Sequence, residues 1–184
     1  MLRKLCALLV LITVICSCQG KDQADSATPS SKKMRVTSPA FREGGDIPSR
    51  YTCDGAGMSP PLAWASVPDK TKSLALICED PDAPAGVFVH WVLFNLPAHP
   101  RSLPENVPPK LTLANGAKHG TNDFGRLGYG APCPPSGTHR YYFKMYALDK
   151  KLDLPAGTRK PKLLAAMNGH ILAKGKLMGK YSRQ

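Results

Sequence analysis

The chain has 184 residues, a formal net charge of +12 and a hydrophobic share of 42%, a length that suits one domain with one hydrophobic core. The 18 prolines and 16 glycines approach a disorder-like composition, but they alternate with apolar runs at residues 74–78 and 87–96. That pattern excludes a disordered chain and points to strands joined by many turns.

Arg3 and Lys4 precede a mostly apolar stretch over residues 5–16. The stretch is too short to span a bilayer as a helix, which takes about 20 residues. It fits the hydrophobic region of a signal peptide. Ile15-Cys16-Ser17-Cys18 resembles a bacterial lipobox, in which the leader is cut before a cysteine that becomes acylated. The expected lipidation site is Cys18, with an ordinary secretory signal as the alternative. Residues 19–33 are polar and aperiodic, as a flexible tether is. The expected organisation is a lipoprotein signal peptide at 1–17, a tether at 18–33 and a folded domain at 34–184. The expected location is the bacterial cell envelope, lipid-anchored and facing the periplasm or exterior.

Within the domain, residues 74–79 read as a buried strand ending at Asp80, and a Pro-rich turn follows. Residues 87–96 read as the next strand. Strict alternation puts His90, Val92, Phe94 and Leu96 on one face, and Trp91, Leu93 and Asn95 on the other. Residues 97–109 read as a loop, and the Gly- and Pro-rich residues 121–138 as an irregular one. Residues 139–148 alternate cleanly, with His139, Tyr141, Phe143 and Met145 facing one way. Residues 161–174 predict a helix, with Pro161 in its first turn and Leu163, Leu164, Met167 and Ile171 as its apolar stripe. Residues 177–181 follow as a short last strand. A mainly antiparallel β domain with one late helix results.

Three cysteines belong to the domain. Cys78 lies in an apolar run and reads as a buried free thiol. Cys53 and Cys133 lie in turn-rich segments and are the candidate disulfide in an exported protein. No Cys-x-x-Cys spacing suggests zinc. From Arg140 onward, eleven Lys or Arg face two acids, Asp149 and Asp153, so the last quarter carries +9. Such a field favours anionic partners, or simply keeps the surface solvated. No nucleic-acid-binding signature is present, so nucleic acid is not an expected partner.

Polar groups cluster where strands meet loops. His139 and Tyr141 are two apart on one strand and share a face. Asp80 ends a strand, and His90 lies near the start of another. Gly128 and Gly130 lie in a loop able to bring backbone N–H groups to a ligand. Imidazole, phenol and backbone N–H are donors, as a phosphate or carboxylate ligand requires. Asp80 suits the orientation of a histidine. No GxSxG, HExxH or P-loop motif points to a standard enzyme. Neither catalysis, a metal nor a cofactor is expected.

Asp80-Pro81-Asp82-Ala83-Pro84 with His90-Trp91-Val92-Leu93-Phe94-Asn95-Leu96-Pro97, and Gly137-Thr138-His139-Arg140-Tyr141-Tyr142-Phe143, resemble the two signature blocks of the phosphatidylethanolamine-binding proteins. Tyr51-Thr52-Cys53-Asp54-Gly55, Asn122-Asp123-Phe124-Gly125 and Pro132-Cys133-Pro134-Pro135 are similar to the bacterial YbhB/YbcL, Raf-kinase-inhibitor-like branch. Gly169-His170-Ile171-Leu172-Ala173 resembles its C-terminal helix. The resemblance implies two antiparallel sheets with Greek-key connections and peripheral helices. It also implies a small pocket for phosphate-type anions or phospholipid headgroups. On this chain the pocket would be Asp80, His90, His139 and Tyr141, with Gly128, Gly130 and Pro132 at the rim and Asp82 and Trp91 in support. Inhibition of a protease or kinase through the pocket rim is the alternative function.

Overall fold

Residues 74–78 and 89–96 are apolar on both sides, which suits strands covered on two faces. The computed structural model, which describes residues 32–183, pairs them side by side in the larger sheet. In chain order the elements are β1 (Lys32–Lys33), β2 (Arg35–Thr37), β3 (Leu62–Ala65), β4 (Ser73–Asp80), β5 (Phe88–Leu96), β6 (Ser102–Leu103), β7 (Lys118–His119), β8 (His139–Leu148), α1 (Lys160–Met167) and β9 (Ile171–Tyr181). A 3-10 turn covers Ser49–Tyr51. Six strands pair in the order β1-β9-β8-β4-β5-β7, and three in the order β2-β3-β6. The pairs are antiparallel except β1 with β9. The fold is mainly β, two antiparallel sheets with one α-helix among the described residues.

The main core lies on one face of the large sheet. Leu74, Leu76 and Cys78 of β4 and Tyr141, Phe143 and Met145 of β8 meet Val36 and Trp64 of the small sheet there. On the other face, Ala75, Ile77, Val92 and Phe94 meet Leu163 and Met167 of α1. Glu79 joins the helix start to the sheet, taking Lys144 Nζ on one oxygen and Lys160 Nζ at 2.5 Å on the other. Burial alone would raise its pKa, but the two ammonium groups outweigh that and hold it below its ordinary value.

Several sequence expectations are corrected. The helix is shorter than residues 161–174: it ends at Met167, and Asn168 takes extended geometry at φ −60°, ψ 131°. Residues 171–173, expected in the helix, begin β9, which runs eleven residues where a short strand was expected. The loop at 97–109 contains β6, which pairs with β3. Lys32 and Lys33 already pair with Ala173 and Lys174, so the ordered β structure starts two residues before the expected boundary at 34. The signal peptide, Cys18 and most of the tether lie outside the described residues. Cys53 and Cys133 are bridged, with Cα atoms 5.3 Å apart, and Cys78 is a buried free thiol.

Candidate functional site

β8 starts at His139, and its alternation turns His139 and Tyr141 toward the same side as Phe143. β4 ends at Asp80, on the side of Leu76 and Cys78. His90 arrives differently. Cys78 pairs with Trp91 and Glu79 with Val89, which leaves His90 without a ladder partner. It is the extra residue of a β-bulge, and a bulge re-aims a side chain. His90 therefore leaves the face of Val92 and Phe94, where strict alternation put it, and turns toward Tyr141, with ring centroids 5.2 Å apart. A second register shift lies between Leu74 and Leu76, opposite Asn95, whose φ is +58°. It moves Leu96 to the face of Trp91 and Leu93.

The four groups meet in a cavity of about 180 Å³. Phe88, Phe124, Pro84, Pro134 and Pro135 wall it, and the Cys133 half of the disulfide lines it too. Phe88 and Phe124 meet edge-on with centroids 4.7 Å apart, and both lie against the His90 ring. The strand pattern does not mark Phe124 as a wall, because residues 121–138 form no named strand from which to read a direction.

Each polar group has a defined proton arrangement. His139 Nδ1 lies 2.7 Å from Asp80 Oδ2, so it donates to the carboxylate. Asp80 Oδ1 accepts the Asp82 backbone N–H at 2.8 Å. Asp82 accepts the backbone N–H of Arg140 at 2.9 Å, its Nε at 2.9 Å and its Nη2 at 2.6 Å. These bonds clamp the residue next to His139, and the Arg140 guanidinium holds the Asp82 carboxyl at about 2. His90 Nδ1 donates to the Gly130 carbonyl at 2.7 Å. Burial pushes the His90 pKa down, against that bond. The Nε2 atoms of His90 and His139 have no partner among the described residues. In neutral His90 that atom is an acceptor, and protonation makes it a donor. Tyr141 Oη is buried and likewise without a hydrogen-bond partner among the described residues. Burial, then the charge of Asp80, pushes its pKa far above the ordinary phenol value, so it keeps its proton.

Gly128, Gly130 and Pro132 are not among the residues that line the cavity. The Gly130 N–H is spent on the His90 carbonyl at 2.8 Å. The Phe124 ring lies so close to Gly130 that a Cβ there would come within 2.5 Å of it. The Gly128 carbonyl accepts Asn122 Nδ2 at 3.2 Å, and the Pro132 carbonyl accepts the Cys53 N–H at 3.0 Å. The glycine loop thus braces His90 from behind and does not form the expected nest of free N–H donors. Asn122 and Asp123 zip the same loop to β5, through Asn122 Nδ2 to the His90 carbonyl at 3.4 Å and Val89 N–H to Asp123 Oδ2 at 2.8 Å. Trp91 is buried beneath, 5.6 Å from the Tyr129 ring and stacked on His119 at 6.3 Å. Among the described residues no three His, Cys, Asp or Glu side chains are arranged to hold a metal ion.

The family described as phosphatidylethanolamine-binding protein matches residues 37–182. This chain belongs to that family. A UPF0098 protein of Methanothermobacter thermautotrophicus is 55% identical over 150 residues, 82% of this chain and 99% of its own. One from Aquifex aeolicus is 48% identical over 153 residues, 82% of this chain and 89% of its own. A solved Chlamydia trachomatis protein described as a PEBP homologue aligns with a TM-score of 0.77 at 44% identity, over 84% of this chain and all of its own. Escherichia coli YbcL, described as a member of the mammalian PEBP family, aligns with a TM-score of 0.76 at 32% identity, over 83% of this chain and 99% of its own. About four-fifths of this chain therefore aligns with 89% or more of each of these relatives.

Proposed function

We propose that this protein is a binding module whose cavity takes a phosphate-type anion, free or as a phospholipid headgroup. The buried, unpartnered Tyr141 hydroxyl carries the reading. The hydroxyl lines the cavity beside Asp80 and keeps its proton, so it is a donor that an anion oxygen can accept from. Protonated His90 is a donor from a second side, and His139, whose Nδ1 hydrogen goes to the Asp80 carboxylate, donates through Nε2 as the imidazolium. The volume of about 180 Å³ is below the ~300 Å³ at which pockets begin to hold drug-sized ligands, so a headgroup fits and a whole lipid does not. Apart from the phenol, the lining offers no hydroxyl or free thiol, which favours binding over nucleophilic catalysis. The anchoring of this module to the envelope through Cys18 is part of the same proposal and rests on the lipobox resemblance.

Calorimetric titration with phosphate and phosphoethanolamine tests the pocket. Wild type should bind. His139→Ala should bind roughly ten- to a hundredfold more weakly, the loss of one charge-assisted hydrogen bond, with an unchanged circular dichroism spectrum. Equal binding by wild type and by folded His90→Ala and His139→Ala would refute the assignment. No binding by wild type would move the function toward the protease- or kinase-inhibitor alternative.

A further inference from the structure

A second concave surface lies away from this cavity. A groove of about 810 Å³ is lined by residues of β1, β2, β8 and β9. Its rim carries Lys33, Arg35, Lys174 and Lys176, all exposed and none in an ion pair among the described residues. Lys144 lines it too, but is paired with Glu79. Glu43 is the one carboxylate in the lining, and its Oε2 accepts the Met178 N–H at 2.9 Å. The half-buried Tyr146 ring lies in its floor, with the buried Met34 and Val36. Four unpaired cations around an apolar floor form a field that attracts an extended anionic surface.

We infer that this groove is a docking face for a bilayer rich in anionic lipid, separate from the headgroup cavity. Two observations select a bilayer over other polyanions. The aromatic and alkyl floor suits the mixed polar and apolar zone of a membrane interface, where Tyr rings and Lys stems are at home. Lys33 of β1 is at the groove, so the chain enters the folded part there. The fourteen residue steps from Cys18 to Lys32 span at most roughly 50 Å, so an anchor at Cys18 would keep this face within reach of its membrane. The inference rests on the lipoprotein reading for that delivery alone.

The test uses residues 31–184, without Cys18, so that docking and anchoring fail separately. Sedimentation with phosphatidylcholine vesicles, and with the same vesicles containing phosphatidylglycerol, measures docking. The folded part should bind the anionic vesicles alone, and binding should weaken as salt is added. Each cation reversed should weaken binding at least about fivefold, so Lys174→Glu with Lys176→Glu should lose roughly 25-fold. Lys33→Glu with Arg35→Glu, at a chain edge, should do the same if the first pair impairs folding. His139→Ala should bind vesicles as wild type does. Equal sedimentation with both vesicle types, or both double variants binding as wild type, overturns the proposal. Tighter binding to duplex DNA than to anionic vesicles also overturns it and assigns the face to nucleic acid.

Discussion

Tyr141 separates stability from binding. Its hydroxyl is buried and unpartnered among the described residues, so Tyr141→Phe should leave the empty protein as stable as wild type or more so, by up to ~1 kcal/mol. The same change should weaken phosphate binding about tenfold, which paired urea denaturation and calorimetry would read. A rise in neither quantity and a loss in both would mean that the hydroxyl is structural. The histidines give a pH signature. Burial lowers the pKa of His90 and of His119, against hydrogen bonds to the carbonyls of Gly130 and Lys110. Below about pH 6.5 the unfolded chain binds protons that the native protein refuses, so stability should fall with pH, by up to ~1.4 kcal/mol per unit for each histidine. His119→Gln should flatten that slope, as denaturation at about pH 7.5 and pH 5.5 would show. Affinity for sulfate, whose charge is constant over this range, should rise as pH falls, with its midpoint below the ordinary histidine value.

At the scale of elements, the disulfide holds the cavity wall. Cys133 lines the cavity beside Pro134 and Pro135, and its bond to Cys53 spans 80 residues of sequence. Cross-linking a loop of that length contributes ~4.5 kcal/mol in the chain-entropy model. Cys53→Ser with Cys133→Ser should lower stability by up to that amount and weaken phosphate binding as well. Denaturation and titration of the variant check both, and an unchanged affinity would show that the wall holds its place unaided. The strands were unequally legible. β8 was readable because residues 139–147 alternate, and β4 because residues 74–78 are an unbroken apolar run. β9 was readable only over residues 177–181, because Gly175 and Gly179 interrupt its pattern. They are glycine because neighbours press on them: a Cβ on Gly175 would lie 2.6 Å from the Met34 carbonyl, and one on Gly179 2.5 Å from Ile47. Strands β2, β3, β6 and β7, of two to four residues, are too short to show a period. Asp80, His139 and Tyr141 could be placed by spacing, whereas the direction of His90 depends on a bulge that alternation cannot see. The role of Gly130 was misread because its N–H and carbonyl both serve His90.

For the molecule as a whole, charge and address belong together. The +12 formal charge includes the groove cations that suit an anionic surface. Among the described residues no helix is long and apolar enough to cross a membrane; the proposed membrane attachment is through Cys18. Wild-type protein extracted from cells should carry the added mass of acyl groups at Cys18, and Cys18→Ala should not. An unacylated, freely soluble wild-type product would remove the lipoprotein reading, while leaving the cavity and the groove to their own tests.

The extra residue in β5 has a consequence for anyone who redesigns this sheet. β4 and β5 differ by one residue where His90 stands, and regularising the pair by deleting it would restore an unbroken ladder. The bonds of His90 to Gly130 and Asn122 would go with it. The imidazole would be gone from the cavity, and Phe124 and Gly130 would lose the ring they pack around. The proposed recognition thus depends on an irregularity, and selection for regularity alone would erase it.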